Sequence, residues 1–372
     1  MDEGKKRVVV GLSGGVDSAV AAIILMKQGY DVEAMFMRNW DSSINNDILG
    51  NPNDPNDVCP QEKDYMDALD VANKLGIKLH RVDFVGEYWD NVFKYFIEEY
   101  EAGRTPNPDI LCNKEIKFKC FLNKAMQMGF DYIAMGHYAR SDGGTLKRGI
   151  DQNKDQSYFL CQLSHEQIAK TIFPIGDLCK SEVRKIALEY GLSVATKKDS
   201  TGVCFIGERN FKEFLKNYIP AKKGLMMSLD GKVVGEHEGV MYYTIGQRHG
   251  LAIGGPGEAW FVIGKNVKDN ILYVGQGDMQ EYLYSNRCIV NNINWLGEKF
   301  DGVLECTAKF RYRQKDVKVS LKWLDNDHLE VTYPDLSRAV TPGQAAVFYD
   351  GDIVLGGSTI QEVYMDNSKR CY

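Results

Sequence analysis

The sequence predicts an α/β fold with a doubly wound parallel sheet, followed by a small β-rich central domain and a C-terminal β-barrel. Three observations carry that expectation. Apolar strand-like runs alternate with helical stretches through the first half of the chain, as βα units require. A glycine-rich turn joins the first strand to the first helix. After Pro220 the helical spacing gives way to short alternating runs broken by glycine and aspartate turns. A length of 372 residues suits two or three domains. The composition shifts place the boundaries near 210 and 283, giving domains over 1–210, 211–282 and 283–372.

The elements follow in order. Arg7–Val10 is a β-branched run and reads as a buried strand. Ala19–Met26 is an apolar helix ending near Gly29. Asp31–Met37 is a second strand. Residues 38–60 are rich in Asn, Asp and Pro and read as a long loop. Pro60 opens a helix to Gly76, with Tyr65, Ala68, Leu69, Ala72 and Leu75 on one face. Lys78–Phe84 is a third strand, Tyr88–Ala102 an amphipathic helix, Leu111–Met128 another, and Tyr132–Met135 a fourth strand. Tyr138–Gly149 reads as a hairpin turning at Asp142-Gly143-Gly144. Helical pieces follow at 164–170, 180–190 and 210–218. Cys288–Tyr364 carries several short strands, the spacing of a small barrel.

Bulk properties exclude several classes. No apolar run reaches a membrane span, and the acidic start Met1-Asp2-Glu3-Gly4 lacks a leader's apolar core. Nine cysteines without a Cys-x-x-Cys pair argue for reduced thiols in a cytoplasmic protein, and against a zinc ribbon or an iron–sulfur cluster. No protein metal site is expected. A net charge of −6 means that any nucleic acid must meet local basic patches on an acidic body.

The chemistry concentrates in three stretches. Gly11-Leu12-Ser13-Gly14-Gly15-Val16-Asp17-Ser18 lies between the first strand and first helix. Glycines let backbone N–H groups approach an anion, and the helix N-terminus adds a favourable dipole. Ser13 and Ser18 can donate further bonds, and Asp17 serves either Mg²⁺ or the shape of the loop. No Gly-Lys-Ser/Thr follows, so this is not the Walker pattern. It resembles the pyrophosphate-binding loop of ATP pyrophosphatases, which implies ATP as substrate, with Mg²⁺ carried on the nucleotide. In a parallel sheet the ligand sits at the C-terminal strand ends, where Met37 and Gly136 also fall. They are candidates for an adenine or ribose pocket, or for plain packing.

The second stretch is Arg104-Thr105-Pro106-Asn107-Pro108-Asp109-Ile110-Leu111-Cys112-Asn113-Lys114. Two prolines pin a loop and a helix starts near Asp109, which shares a face with Cys112. Asp109 could instead cap that helix. The helix start, with Lys114 and Lys117 nearby, favours the Cys112 thiolate, although a buried inert cysteine fits the same residues. The third stretch, Lys198–Gly207, reads as a polar loop carrying Cys204, either reactive or structural.

Together with Gly136-His137-Tyr138, Lys154–Leu160, Tyr243–Arg248 and Thr341–Ala345, these stretches resemble the tRNA-specific 2-thiouridylases, in the family's order over nearly the whole chain. The resemblance implies an ATP-pyrophosphatase-type catalytic domain followed by a tRNA-binding central domain. It implies sulfur replacing the 2-oxygen of the wobble uridine in tRNAs for Lys, Glu and Gln, after adenylation of that oxygen. On the same basis Cys204 carries a persulfide received from a sulfur-relay protein or cysteine desulfurase. Cys112 attacks it and frees sulfide, or leaves a disulfide after sulfur transfer, with direct attack by the persulfide as the alternative order, and Asp109 acts as general acid/base. Asn107, Pro108 and Asp109 meet the target base; His137, Lys154, Asp155, Gln156, Arg311, Tyr312 and Gln344 contact tRNA. Phe310-Arg311-Tyr312-Arg313-Gln314-Lys315 independently has the basic–aromatic character of a nucleic-acid surface.

Overall fold

The computed structural model describes residues 5–47, 49, 60–199 and 210–371. The chain forms two compact units: Met1–Phe93 with Pro108–Asn210 and Asp352–Val354, and Lys94–Asn107 with Phe211–Gly351 and Leu355–Tyr372.

In the first unit, β1 (Arg7–Gly11), β2 (Asp31–Arg38), β3 (Leu79–Asp83) and β4 (Tyr132–Ala134) belong to one parallel sheet. A hairpin of β5 (Ala139–Asp142) and β6 (Thr145–Arg148) follows, and β7 (Thr171–Ile172) completes the sheet. The strand order is β3-β2-β1-β4-β7, with the chain leaving β1 in both directions as doubly wound sheets do. β1 is central, so Val8, Val9 and Val10 are wholly buried, and a strand covered on both faces must be apolar throughout. Helix α1 (Val16–Lys27) packs on it through Ala19, Val20, Ile23 and Leu25, all at most 1% exposed. Helix α2 (Pro60–Leu75) adds Ala68, Val71 and Ala72 to the same core.

The strands and the hairpin fall where the sequence places them. Two helices differ in kind. The stretch expected as one helix over 88–102 is α-helical at Val85–Tyr88, a π turn at Trp89–Phe93, and α-helical again at Lys94–Glu101. The helix expected over 111–128 starts earlier, at Pro108, and is π-helical over Cys112–Cys120 before returning to α over Phe121–Gln127. Apolar periodicity does not separate i+4 from i+5 pairing over so few turns. Of the long loop at 38–60, residues 48 and 50–59 lie outside the described residues, as do 200–209 of the third stretch.

The second unit is β-rich. β8 (Gly224–Met227), β9 (Val233–His237), β10 (Phe261–Asn266) and β11 (Ile271–Gly275) form a sheet ordered β10-β11-β8-β9. Its β11–β8 pair is parallel and the rest antiparallel. β12 (Tyr284–Trp295), β13 (Val303–Lys309), β14 (Val317–Trp323), β15 (Leu329–Arg338), β16 (Ala345–Asp350) and β17 (Ile353–Met365) run in the order β12-β15-β14-β13-β16-β17. β17 then pairs back onto β12, from Arg287↔Tyr364 to Trp295↔Gly356, and closes a six-stranded barrel. Closure removes the unpaired edges that a flat sheet would expose. The barrel is filled by Phe310, Leu321, Val331, Tyr333 and Phe348. The Phe310 and Tyr333 rings lie 5.0 Å apart, and Tyr333 meets Ser285 Oγ at 2.7 Å, so its hydroxyl is not stranded in the core. Among the described residues no helix is long and apolar enough to cross a membrane.

The Phe310 ring is 1% exposed. Phe310→Ala is expected to cost about 3–5 kcal/mol, read as a lower denaturant midpoint for the unfolding step of the barrel. A loss below about 1 kcal/mol would place the ring outside the core.

Candidate active site

The glycine turn at the end of β1 is built by exclusion. Gly14 has φ +73°, and a Cβ there would lie 2.2 Å from the Asp64 carbonyl oxygen of α2. Gly136, just beyond β4, sits so close to the first turn of α1 that a Cβ would lie 2.7 Å from Ser18 N. At Gly11 the obstruction is Met135 Sδ at 2.7 Å, with Met37 Cε at 3.6 Å. The structure therefore gathers Gly11, Met37, Met135 and Gly136 at the C-terminal ends of β1, β2 and β4. Within the loop, Ser18 Oγ accepts from Ser13 N at 3.2 Å and donates to Gly15 O at 3.1 Å. Ser13 and Ser18 hydroxyls are 3.2 Å apart. Ser13 is exposed while Leu12, Gly14, Val16 and Ser18 are buried. The helix start thus presents a bare backbone and one hydroxyl outward, as an anion cradle needs.

Asp17 is bound within the first unit. Its Oδ1 accepts from Tyr138 Oη at 2.8 Å, and Lys180 Nζ lies 2.8 and 2.9 Å from its two oxygens. These contacts tie the carboxylate to the segment just after β4 and to Lys180. Lys180 also pairs with Asp199 at 2.8 Å, which in turn receives Lys154 Nζ at 2.5 Å and Arg184 at 2.8 Å. Burial alone would raise the Asp199 carboxyl; Lys154 and Lys180 outweigh it and hold the group down to about 2. Lys197 braces the same corner, donating to Gly14 O at 3.0 Å and pairing with Asp64 and Asp67. Lys180, Arg184 and Lys197 were not legible as site residues, because single lysines and arginines on helices look like solvated surface.

One further polar group stands out at the end of β2. Asn39, directly after β2, is fully buried, and its Oδ1 and Nδ2 have no hydrogen-bond partner among the described residues. A buried amide left unsatisfied costs on the order of 1–3 kcal/mol, so its place at a strand C-terminal end fits a ligand edge such as adenine. Among the described residues no group of three or more His, Cys, Asp and Glu could hold a metal.

The thiol stretch lies in the same unit from Pro108 onward. Cys112 is wholly buried at the first position of the π-helical segment. Its neighbour Asn113 is 2% exposed; Nδ2 donates to Phe159 O at 3.0 Å, and Oδ1 has no partner among the described residues. π segments occur often at functional sites. Cys204 lies outside the described residues.

The residues expected at tRNA have internal attachments. His137 is buried against Phe118 and Phe173, and burial, with the Lys117 charge, holds its imidazole well below the ordinary value. Asp155 Oδ1 accepts from Gly149 N and Ser157 N, both at 3.1 Å. Gln156 is stapled to Tyr138 through N→O at 2.8 Å and Tyr138 N→Oε1 at 3.0 Å. In the second unit, Arg311 donates to Ile245 O at 3.1 Å and Thr341 Oγ1 at 3.3 Å. Tyr312 is half-buried, whereas Arg313 and Lys315 are exposed. Gln344 Nε2 donates to Thr105 O at 2.7 Å, and Thr105 N to Pro342 O at 3.1 Å, anchoring the loop that leads to Asn107.

Family models match the chain in three consecutive segments. They are described as tRNA methyl transferase HUP domain over residues 6–208, tRNA methyl transferase PRC-barrel domain over 212–276, and Aminomethyltransferase beta-barrel domain over 285–360. The chain is 57% identical over 375 residues to tRNA-specific 2-thiouridylase MnmA of Acholeplasma laidlawii, covering 99% of this chain and 100% of that protein. It is 55% identical over 371 residues to the protein of the same name from Bacillus cytotoxicus, covering 98% and 97%.

The Asp199 carboxyl sits below its ordinary pKa of about 3.9, so its ion pairs add stability above that value and lose it as pH falls toward about 2. Asp199→Asn should therefore lower the melting temperature at pH 7, with the gap to the parent chain narrowing as pH falls from about 4 to about 2. A gap that stays constant would mean the carboxylate is not what binds the three cations.

Proposed function

The chain belongs to the tRNA-specific 2-thiouridylase family, and from that premise we propose that it exchanges the 2-oxygen of the wobble uridine for sulfur in tRNAs for lysine, glutamate and glutamine, in the cytoplasm. The observation that carries this reading is the agreement with 2-thiouridylases over essentially the whole chain. The family descriptions that mention methyl transfer leave the thiol stretches without a task. For the chain's organisation we propose the three domains 1–210, 211–282 and 283–372.

A uracil carbonyl resists substitution because its oxygen leaves poorly. Adenylation makes that oxygen part of AMP, with pyrophosphate lost from ATP. The first unit has the parts for this: the Gly11–Ser18 cradle for phosphate oxygens, Met37 and Gly136 beside it, and the Asn39 amide for a base edge. Asp17 fixes the loop through Lys180 and Tyr138, and Lys180 brings a cation to where phosphate charge develops. Mg²⁺ travelling with the nucleotide supplies charge screening.

Sulfur enters as a persulfide on Cys204, loaded by a sulfur-relay protein or a cysteine desulfurase. The Cys112 thiolate attacks the Cys204 sulfur. A Cys112–Cys204 disulfide forms, the persulfide bond breaks, and hydrosulfide leaves with the electron pair. Hydrosulfide then adds to C2 of the adenylated uracil and expels AMP. A thiol reductant restores both cysteines. Direct attack by the persulfide is the alternative order. Asp109 handles the proton at the base. The base must first leave the anticodon stack, and Asn107, Pro108 and Asp109 receive it. His137, Lys154, Asp155, Gln156, Arg311, Tyr312 and Gln344 shape or line the tRNA surface, some through the internal bonds described above.

Two outcomes test this. Ser13→Ala, which removes the one exposed hydroxyl of the cradle, should cut tRNA-dependent pyrophosphate release by about 10²-fold while tRNA binding holds; undiminished release would remove the loop from the reaction. In single-turnover assays scored for 2-thiouridine, Cys204→Ser should fail to load persulfide, and Cys112→Ser should load it but not deliver sulfur. Both should still adenylate tRNA. A persulfide mapped by mass spectrometry to any other cysteine would defeat the assignment.

A further inference from the structure

A cavity lies wholly within the β-rich unit, among residues the reaction above does not use. Its volume is about 440 Å³, and it is lined in part by Gly103, Arg104, Lys265, Asn266, Lys268 and Thr341. That volume would hold on the order of fifteen waters at about 30 Å³ each. No aspartate or glutamate lines it.

Lys265 is the anomaly. β10 has a register break between Val262 and Gly264, and four successive residues, Val262 to Lys265, are all buried. Lys265 is only 8% exposed. Its Nζ donates to Gly103 O at 2.8 Å. A lysine ammonium has three donors, and among the described residues this is its one acceptor, with no carboxylate in ion-pair range. Gly103 has φ +79° and ends the 94–101 helix, and a Cβ there would lie 2.3 Å from Val267 Cγ2. The residue whose carbonyl meets Lys265 thus packs tightly under the Val267 side chain.

Burying a charge without a partner is costly, and burial here brings the amine down to about 7. The groups around it add positive charge or none. Arg104 is paired with Glu99, Lys268 carries a charge, and Asp269 is engaged with Asn266 Nδ2 at 2.8 Å. Tyr273 and Cys371 complete the wall, with Cys371 held up by burial as a thiol. A buried amine with donors to spare, opening on a cavity that holds a second lysine and no carboxylate, is placed to meet an oxyanion.

We propose that this cavity is a phosphate-binding site of the β-rich unit, with Lys265 donating to a phosphoryl oxygen beside the Gly103 carbonyl and Lys268 supplying the second charge. The shared chemistry is a phosphoryl group, presented either by an RNA backbone or by a free inorganic anion. The RNA arm rests on the tRNA reading; the inorganic arm does not.

The test uses the full-length chain labelled with ¹³Cε-lysine. The Lys265 signal is identified by its absence in Lys265→Met and titrated with and without saturating inorganic phosphate or pyrophosphate. An anion in the cavity should raise the Lys265 midpoint by about one unit or more. Calorimetric phosphate affinity should fall about tenfold in Lys265→Met and be kept in Lys265→Arg. In parallel, tRNA binding is measured against salt: a backbone phosphate in the cavity lowers the slope of log affinity on log salt by about one in Lys265→Met. A raised midpoint with an unchanged slope assigns a free anion, and a lowered slope assigns the RNA backbone. A midpoint indifferent to both anions, together with an unchanged slope, overturns the proposal. Should Lys265→Met fail to fold, the parent titration and Lys265→Arg still decide it.

Discussion

The first unit depends on one close approach, that of the β4 end to the first turn of α1. Gly136 backs onto Asp17 and Ser18 with no room for a Cβ, while Gly14 lies as tightly under the Asp64 carbonyl of α2. Two helices and two strands thereby converge on a loop of bare backbone. The cost is that the loop has few side chains of its own to hold it. Asp17 supplies the missing grip by reaching Tyr138 and Lys180, and Lys180 passes the charge on to Asp199, Lys154 and Arg184. A surface ion pair contributes little by itself, but a network of partly buried pairs with short contacts is worth more than its members. The chemical centre is therefore rigid because glycines allow close packing and ion pairs lock what they pack.

The second unit solves a similar problem without a central helix. Its barrel has no open edge, and the residues after β15 fold back to hold the Thr105 loop through Pro342 and Gln344. Gly343 has φ +89°, and a Cβ there would come within 2.9 Å of Thr105 N, so the two segments again meet backbone to backbone. The peptide leaving this anchor is Asn107–Pro108. Gln344 thus acts on the segment preceding Asp109 and Cys112 through main-chain hydrogen bonds, a role its place in a Thr-Pro-Gly-Gln turn does not announce.

Much of this was legible in the sequence, for identifiable reasons. β1, α1 and the turn between them are local: a β-branched run, a glycine cluster and an apolar helix state their own geometry. The parallel sheet followed from alternation, and the barrel from strand spacing. The ion-pair partners were not legible, because Asp17 and Lys180 are far apart in the chain and nothing in either neighbourhood marks the other. The π turns were missed because apolar spacing over two turns does not resolve one inserted residue. Lys265 was missed because it sits in Phe261–Asn266, where four successive residues are buried around a register break that the sequence does not mark. The basic–aromatic run was read as a surface, yet Phe310 fills the barrel and Arg311 braces Ile245 and Thr341, leaving Arg313 and Lys315 as its exposed charges.

The burial of Cys112 bears on the chemistry more directly than its position on a helix. Sulfide and persulfide are stronger nucleophiles than water, but they are scarce and easily lost to solvent, oxidants and competing thiols. A thiol that takes part in sulfur release is useful only if the released sulfur meets the activated carbon before it diffuses away. Enclosure serves that end, since excluding water both protects the intermediate and strengthens the electrostatics around it. Cys112 at 0% exposure, with the Asn113 amide beside it at 2%, is enclosed in this sense.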